Sequence, residues 1–522
     1  MTQNLNGTSI IGFSRGSANE GTQQGVNPAS GEALEPIYAT PLSAEFDKAL
    51  ELAKCAFPVY SALSGSKRAE FLNSIADKLD ASVDLFAERG PLETGLPEAR
   101  MRGETARTSG QLRMFANLIT EGSWVTARIE HGMPDRQPIP KPDLRSMLRP
   151  LGPVAVFCAS NFPLAFSVAG GDTAAALAAG CPVVVKAHRS HPGMAELVGN
   201  CILEAAVETG MPEGVFSLLY GGQDIGRALV EHPVIQAVGF TGSRAGGTAL
   251  MRAAAARPQP IPVYAEMSSI NPVVMLPGAL ADGGESLAEG FFGSLTLGVG
   301  QFCTNPGLLF LPEDGADAFL AKLSELVGAA AGASMLNAGT CQAYGERLEA
   351  LGAISGVEAL AAAPKTNGKG APAVFTVSLK RFLEEPGLQE ECFGPATLIV
   401  RAPVGELAAA FESLEGQLTG TVFGTPEELA AQADLVANLQ AKVGRLIFNG
   451  FPTGVEVCHS MVHGGPYPAT SDGRSTSVGT LAIERFCRHV AWQGFPEEGL
   501  PEALKEGNPL GIWRMVDGSQ SQ

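Results

Sequence analysis

The feature that most constrains this fold is a series of short apolar runs that alternate with helical patterns after Gly152. A strand buried on both faces shows an unbroken apolar run, which is typical of a parallel sheet covered by helices. The runs lie at residues 154–157, 183–185, 215–219, 234–240 and 263–265. A helical bundle would not explain five valine-rich runs separated by turn signals, so the sequence predicts an α/β fold.

Helical patterns are predicted between and after these runs, at residues 165–179, 193–208, 316–330 and 427–442. The last is well delimited, because Thr425 and Glu428 form a capping box and Pro426 suits the first helical position. It should end before Gly444, where a left-handed residue is expected.

Length and charge limit the possible partners. A chain of 522 residues suggests about three domains. It carries 36 Lys and Arg against 54 Asp and Glu, and the net charge of −18 disfavours nucleic acid or an anionic membrane as a partner. The longest nearly apolar stretch, residues 165–185, contains Asp172 and Pro182, so no membrane span is predicted.

The nine cysteines are scattered, odd in number and free of any C-x-x-C spacing. A disulfide scaffold or zinc ribbon is therefore excluded as the organising principle, and no resident metal is predicted. No signal peptide is visible at the N-terminus. We expect a reducing compartment and a cytoplasmic protein.

Two residues are candidates for covalent and base chemistry. Cys303 lies between glycines and an Asn-Pro pair, so it could be an exposed nucleophile in a tight turn. Glu266 directly follows an apolar run, where ligands bind in open parallel sheets. The alternatives are a cysteine buried for packing and a solvated strand end.

Two turns could bind charged groups. The run from Phe240 to Ser243 joins a predicted strand to a helix start, where free N–H groups bind anions. Asn161 follows another strand, and its amide could donate to a developing oxyanion. Asn161 could equally be a simple turn residue before Phe162 and Pro163.

In this order, the residues resemble the aldehyde dehydrogenase family, from Asn27 to about His489. Seven ordered matches are highly specific, although each alone would be weak. They are Ala159-Ser-Asn-Phe-Pro163, Val183-Val-Val-Lys186, Gly210-Met-Pro-Glu-Gly214, Phe240-Thr-Gly-Ser243, Glu266, Gly300-Gln-Phe-Cys303 and Glu390-Glu-Cys-Phe-Gly-Pro395.

The resemblance implies a mechanism for aldehyde oxidation with NAD(P). Cys303 would attack the aldehyde and form a thiohemiacetal, whose oxyanion Asn161 would hold. Hydride transfer would leave a thioester, and Glu266 would activate the water that hydrolyses it. The implied cofactor contacts are Lys186, Thr241, Gly242, Ser243, Glu391 and Phe393.

Two departures from the family pattern put the shape of the substrate funnel in doubt. Glu266 is followed by Met-Ser-Ser instead of the common Leu-Gly-Gly. The usual Pro-Phe-Gly-Gly run is replaced by Met461-Val-His-Gly-Gly-Pro-Tyr467. These changes resemble a branch that oxidises α-ketoglutaric semialdehyde (2,5-dioxopentanoate), with fatty-aldehyde enzymes nearby.

The cofactor and substrate contacts can be predicted at single positions. Family members that prefer NAD commonly carry Glu three residues after the ribose-binding lysine, whereas Arg189 stands here. A guanidinium suits a 2′-phosphate, so NADP is predicted over NAD unless Arg189 faces solvent. Phe162 would line the substrate site, and Arg113 or Arg107 would bind a substrate carboxylate unless both are surface or ion-paired residues.

The resemblance also implies the domain organisation. Residues 1–133 and 152–267 would bind the cofactor in a Rossmann-type sheet, and residues 268–478 would form an α/β catalytic domain. Residues 134–151, which are proline-rich, and 479–522 would form an oligomerisation element of a homodimer or homotetramer.

Two alternative functions remain open. One is a medium- or long-chain fatty aldehyde dehydrogenase. The other is a cofactor-free thiol hydrolase, although no Cys–His arrangement is evident in the sequence, since His232 and His459 are distant from Cys303 along the chain. Folding could still bring a histidine near.

Overall fold

The structure is a computed structural model, and it describes residues 5–18 and 21–522. The predictions for residues 1–4 and 19–20, as part of the segment 1–133, lie outside the described residues. Two large sheets and a smaller five-stranded sheet dominate the described part of the chain.

The strands, in chain order, are β1 (Ile10–Ile11), β2 (Ser14–Arg15), β3 (Gly21–Val26), β4 (Ala33–Ala39), β5 (Arg128–Glu130), β6 (Leu144–Pro150), β7 (Val154–Phe157), β8 (Val183–Lys186), β9 (Phe216–Leu219), β10 (Ala237–Thr241), β11 (Val263–Glu266), β12 (Pro272–Met275), β13 (Leu308–Pro312), β14 (Ala333–Ser334), β15 (Glu358–Ala362), β16 (Lys369–Gly370), β17 (Ala373–Ser378), β18 (Ala396–Ala402), β19 (Gln417–Phe423), β20 (Val443–Phe448), β21 (Cys487–Gln493), β22 (Arg514–Val516) and β23 (Ser519–Ser521).

The α-helices are α1 (Ser43–Tyr60), α2 (Gly65–Ala81), α3 (Val83–Thr94), α4 (Glu98–Glu121), α5 (Gly171–Ala179), α6 (Pro192–Glu208), α7 (Gln223–Glu231), α8 (Arg244–Ala255), α9 (Pro277–Thr296), α10 (Asp317–Ala329), α11 (Ala338–Ala353), α12 (Leu379–Glu384), α13 (Leu407–Glu412), α14 (Pro426–Ala431) and α15 (Ala433–Lys442). Within the described residues, none of the helices combines the length and the apolarity needed to cross a bilayer.

The first large sheet contains all five predicted apolar runs. Its strand order is β11-β10-β7-β8-β9-β1-β2, and β7 to β11 run parallel. Alternate residues of β7 and β8 pack into two cores, one with α2 to α6 and the other with α1, α7 and α8. Burial on both faces explains the unbroken apolar runs, and the α/β prediction is confirmed.

The second large sheet has the order β15-β17-β18-β13-β12-β19-β20. Its neighbouring strands are parallel except β15, which pairs antiparallel with β17. Apolar residues of β12, β13 and β18 also divide between two cores. Both large sheets therefore follow the same physical rule of helices on two faces.

The smaller sheet joins segments that are far apart in sequence. Its order is β21-β6-β5-β22-β23, and β6 pairs with β21 along seven residues. The proline-rich segment and the C-terminal tail thus meet in one sheet. Its role in assembly stays a prediction.

The helix predicted at residues 427–442 ends at Lys442 as expected, but the left-handed cap predicted at Gly444 is wrong. The capping box of Thr425 and Glu428 is present, but the helix is interrupted at Gln432 and followed directly by β20. Gly444 lies inside β20 and caps nothing. A Cβ on Gly444 would lie 2.1 Å from the carbonyl oxygen of Gly464, so glycine is required there by close backbone packing.

The parallel sheet determines where the functional residues gather. Carboxyl ends of neighbouring parallel strands lie at one edge, where ligands bind in such folds. The strand register places Phe157 beside Lys186 and Thr241 beside Glu266. The loop after β7, which carries Asn161, starts from this same edge.

Candidate active site

Cys303 lies on a tightly wound loop that precedes β13. The loop begins with the 3₁₀ turn Leu297–Gly300, in which three consecutive residues have left-handed backbone angles. Val299 among them adopts a φ of 58°, which is strained for a β-branched residue. A Cβ on Gly300 would lie 2.3 Å from the carbonyl carbon of Gly394, so the two backbones pack directly on each other. This packing constrains the position of Cys303.

Two asparagines hold the loop. Asn271 donates from Nδ2 to the carbonyl oxygens of Cys303 at 2.8 Å and Asn305 at 2.9 Å. Asn161 donates from Nδ2 to the carbonyl oxygen of Gln301 at 3.0 Å. Because a carboxamide nitrogen carries two N–H groups, this bond uses only one of them. The structure therefore brings Asn161 to the loop of the nucleophile.

Glu266 and His463 meet at the thiol of Cys303. Both side chains are buried, with 4% of Glu266 and 1% of His463 exposed. His463 Nε2 lies 2.9 Å from Glu266 Oε1 and 3.4 Å from Cys303 Sγ. The hydroxyl of Ser477 donates to Glu266 Oε2 at 2.6 Å. Cysteine, histidine and carboxylate thus form one compact cluster.

The thiol and the carboxylate differ in the direction of their pKa shifts. Burial raises the pKa of the Cys303 thiol well above its ordinary value, and the charges of Glu266 and Glu391 raise it further. Burial also raises the pKa of Glu266, but contacts with His463 and Ser477 outweigh burial and lower it. The resting state is therefore a protonated thiol within 4.8 Å of an ionised carboxylate.

Lys186 and Arg189 form a cationic pair at the end of β8. Lys186 is partly buried, and burial lowers its pKa, as does the nearby charge of Arg189. Arg189 itself is exposed on the following turn. Burial and the neighbouring charges lower the pKa of His188 well below its ordinary value, so its ring is neutral. Because Arg189 faces solvent, its pairing with a 2′-phosphate stays a prediction.

The turn from β10 to α8 fits the phosphates of a dinucleotide. Thr241 ends β10, and exposed Gly242 and Ser243 lead into α8. Ser243 caps the helix by accepting from the backbone N–H of Gly246 at 3.2 Å. A Cβ on Gly242 would lie 2.7 Å from the ring of Phe240, so a larger residue would require that ring to shift. The remaining N–H groups of the first turn form an anion site.

Glu391 and Phe393 lie beside the nucleophile loop. They line a small cavity together with Ser269, Ile270, Phe302 and Asn305. Burial raises the pKa of Glu391 to about 7, although hydrogen bonds from Ser268 and Ser269 lower it. A carboxylate here can accept hydrogen bonds from ribose hydroxyls. The chemistry of these groups therefore fits the nicotinamide end of the cofactor.

Phe162 belongs to an aromatic group near the nucleophile loop. Its ring centroid lies 5.3 Å from that of Phe166 and 5.4 Å from that of Phe302. The guanidinium of Arg100 stacks 4.4 Å from the Phe162 centroid and 4.7 Å from that of Phe302. The stacked guanidinium and the rings thus hold one another in place beside Asn161, to whose carbonyl Arg100 donates.

Of the two arginines predicted to bind a substrate carboxylate, only Arg107 reaches the site. Its charge acts on Cys303, it donates to the carbonyl of Val455, and its Nε has no hydrogen-bond partner among the described residues. Arg113 instead pairs with Asp77 at 2.6 Å and Asp80 at 2.8 Å. Arg113 lies six residues after Arg107 on α4, so its side chain points about 240° around the helix axis from that of Arg107. This placement corrects the prediction that Arg113 binds a substrate carboxylate.

Residues that the sequence analysis missed support the cluster. His463 completes it, and neither His232 nor His459 does so. The sequence did contain a signal for His463, because this residue lies in the run Met461–Tyr467 that departs from the family pattern. The other departure, Met-Ser-Ser, supplies Ser268, which contacts Glu391. Both departures are thus parts of the site.

Comparisons with known proteins agree with this geometry. The sequence model described as the aldehyde dehydrogenase family matches residues 15–477. Alpha-ketoglutaric semialdehyde dehydrogenase 2 of Azospirillum brasilense is 51% identical over 98% of this chain and 99% of its own length. Alpha-ketoglutaric semialdehyde dehydrogenase of Acinetobacter baylyi is 44% identical over 100% of both chains.

A solved structure shares the fold at low identity. Aldehyde dehydrogenase C from Pseudomonas syringae, a mutant complexed with NAD+ and octanal, has a TM-score of 0.79 and 21% identity, covering 94% of this chain and 98% of its own. Two large helix-covered sheets, the ordered anchors and the near full-length match lead to one conclusion: this chain belongs to the aldehyde dehydrogenase family.

Proposed function

We propose that this enzyme oxidises α-ketoglutaric semialdehyde to 2-oxoglutarate, with Cys303 as the nucleophile and NADP+ as the preferred oxidant. The observation that carries the chemistry is the cluster of Cys303, Glu266 and His463, whose reactive side-chain atoms lie within 4.8 Å of one another. The substrate assignment is supported by two relatives of that name at 51% and 44% identity.

The first step is attack by sulfur on the aldehyde carbon. Glu266 is the ionised carboxylate within 4.8 Å of the thiol, so it accepts the proton as the C–S bond forms. The amide of Asn161, held at the nucleophile loop, has a second N–H to donate to the developing oxyanion. This step yields a thiohemiacetal on Cys303 and a protonated Glu266.

The second step releases the acid. When bound, the nicotinamide cofactor accepts a hydride from the thiohemiacetal carbon. Lys186, Arg189, the turn at Gly242 and the carboxylate of Glu391 are the groups that would hold it. Glu266 loses its first proton to solvent, then takes a proton from the water that attacks the thioester. The acid leaves, and Cys303 regains its thiol.

The preference for NADP+ should depend on Arg189. The wild type should show a higher kcat/KM with NADP+ than with NAD+, because the guanidinium pairs with the 2′-phosphate. Arg189→Glu should lower kcat/KM for NADP+ by about 10- to 100-fold and leave that for NAD+ within about threefold. Arg227→Glu, an exposed change on α7, is the matched control. A wild type that prefers NAD+ would contradict the cofactor assignment.

The substrate assignment should depend on Arg107. With 2,5-dioxopentanoate, succinic semialdehyde and hexanal as a panel, the wild type should favour 2,5-dioxopentanoate by kcat/KM. Arg107→Met should raise the KM for 2,5-dioxopentanoate by about 10- to 100-fold, because a charge-assisted bond to its carboxylate is lost. The KM for hexanal, which has no carboxylate, should change little.

Arg113→Ala provides the control for Arg107, since its partners are Asp77 and Asp80 on α2. It should leave all three KM values unchanged. A rise in kcat/KM from the short semialdehydes to hexanal would instead favour the fatty-aldehyde alternative. An equal effect of Arg107→Met on both aldehyde classes would assign this arginine to loop support only.

The remaining expectations of the sequence stay predictions. The homodimer or homotetramer, the cytoplasmic location and the division at residues 133, 151, 267 and 478 are among them. Exposed apolar side chains near the smaller sheet, Phe495 and Trp513, are compatible with an oligomer interface.

A further inference from the structure

His463 is a buried side chain that the family mechanism does not use. Its Nε2 contacts both reacting groups, at 2.9 Å from Glu266 Oε1 and 3.4 Å from Cys303 Sγ. The backbone of His463 is also held, because its N–H donates to Thr476 Oγ1 at 2.8 Å and its carbonyl accepts from the N–H of Ser477 at 2.8 Å. One ring nitrogen therefore faces the reacting groups from an anchored position.

The other ring nitrogen decides the tautomer. Nδ1 of His463 is buried and has no hydrogen-bond partner in the described part of the chain. A neutral imidazole carries its proton on one nitrogen only. A proton on Nδ1 would bury an unsatisfied donor and point the bare Nε2 lone pair at the Glu266 carboxylate. A proton on Nε2 avoids both costs, and an imidazolium would also bury an unpaired Nδ1–H.

This tautomer determines which group can accept the thiol proton. Nε2 already carries a hydrogen, so it cannot take another from Cys303. The acceptor is Glu266, whose carboxylate lies within 4.8 Å of the sulfur. When the proton moves, an S–H bond breaks, an O–H bond forms on Glu266, and the negative charge passes from oxygen to sulfur. Both atoms stay within reach of the same Nε2–H.

We propose that His463 acts as a neutral hydrogen-bond donor that stabilises the Cys303 thiolate, and not as the base that removes its proton. As the negative charge moves from Glu266 to Cys303, the Nε2–H of His463 shifts its hydrogen bond from the carboxylate to the sulfur. The N–H bond itself stays intact. In aldehyde oxidation this role rests on the proposed function, but the thiolate forms without any substrate.

Other charged groups also face the sulfur and set the background against which His463 acts. Burial and the carboxylates raise the pKa of the thiol, whereas the guanidiniums favour the thiolate. Besides His463, the groups that act on Cys303 are Glu266, Glu391, Arg107 and Arg445. Since both carboxylates oppose the thiolate, a donor at 3.4 Å is needed close to the sulfur.

Two substitutions separate a donor from a base. The amide nitrogen of His463→Gln reaches about as far as Nε2 and can donate, but it cannot take up a proton. His463→Ala can do neither. The probe is the alkylation rate of Cys303 by iodoacetamide between pH 6 and 10, followed by mass spectrometry of the peptide that contains Cys303. Exposed Cys55 is an internal control for reagent access in the same samples.

We expect His463→Ala to lower the rate at pH 8 by about 10- to 100-fold and to move the thiolate titration to higher pH. We expect His463→Gln to stay within about threefold of the wild type. If His463→Gln loses as much reactivity as His463→Ala, the ring acts as a base and the proposal is overturned. If both variants react like the wild type, the contact has no chemical role.

The test is independent of the proposed function, because alkylation needs neither aldehyde nor cofactor. A wild type that fails to oxidise aldehydes would overturn the proposed function and leave the alkylation result standing. A wild type that oxidises aldehydes, with a His463→Gln variant as inert to iodoacetamide as His463→Ala, would overturn only the role of His463. Thermal unfolding of all three proteins shows whether a variant has lost its fold.

Discussion

Replacing Cys303 by alanine should abolish aldehyde-dependent reduction of the cofactor, with kcat reduced by about 10⁴-fold or more. The thiohemiacetal and the thioester are both bonds to this sulfur, so no later step can occur without it. Three buried cysteines cannot replace it. Burial raises the pKa values of Cys158, Cys181 and Cys201 to about 11, and none of these three thiols contacts Glu266 or His463.

The measurement is the absorbance of reduced cofactor at saturating aldehyde and NADP+. Cys55→Ser is the matched control, because Cys55 is exposed on α1 and its loss should leave kcat unchanged. Cys303→Ala should still bind NADP+ and unfold at nearly the wild-type temperature, since its side chain is only partly buried. Surviving dehydrogenase activity in a folded Cys303→Ala protein would refute the covalent mechanism.

The sheet core could be predicted because its signal is local. Each apolar run, such as residues 183–185, shows its double-sided burial without reference to its partners. The shared edge then follows from the parallel geometry, whereas the order of the strands does not. The roles of Cys303, Glu266 and Asn161 could be predicted for a similar reason, because each of these residues lies in a short motif near a strand end.

The rest of the site depends on contacts that no local pattern encodes. His463 reaches Cys303 across 160 residues, through a loop whose path is set by the packing of Gly444 on Gly464. Which of Arg107 and Arg113 faces the site depends on the rotation of α4 about its axis. The sequence does not give that rotation, so the two arginines looked equivalent. Gly444 itself was misread, since a glycine needed for close packing resembles a helix cap in sequence.

Replacing Glu266 by glutamine should lower the steady-state kcat by about 10²- to 10⁴-fold. Glutamine keeps the size of the side chain and can still accept from His463 and Ser477, but it takes up no proton from water. Hydride transfer precedes hydrolysis, so a single turnover should still produce about one reduced cofactor per subunit. The enzyme should then stop as the thioester on Cys303, visible as added mass on that residue.

The pH dependence of Glu266→Gln separates the two roles of Glu266, as acceptor of the thiol proton and as base for the attacking water. Raising the pH from 7 to 9 lets solvent hydroxide remove the thiol proton, so the burst in Glu266→Gln should become faster. The thioester should still hydrolyse slowly, because water beside a buried carbonyl needs a base held in position. Glu70→Gln, an exposed change on α2, should behave like the wild type in both phases. A Glu266→Gln enzyme with wild-type kcat would show that another group activates the water. A variant without any burst at either pH, despite a Cys303 that still reacts with iodoacetamide, would show that hydroxide cannot replace this carboxylate in the step before hydride transfer.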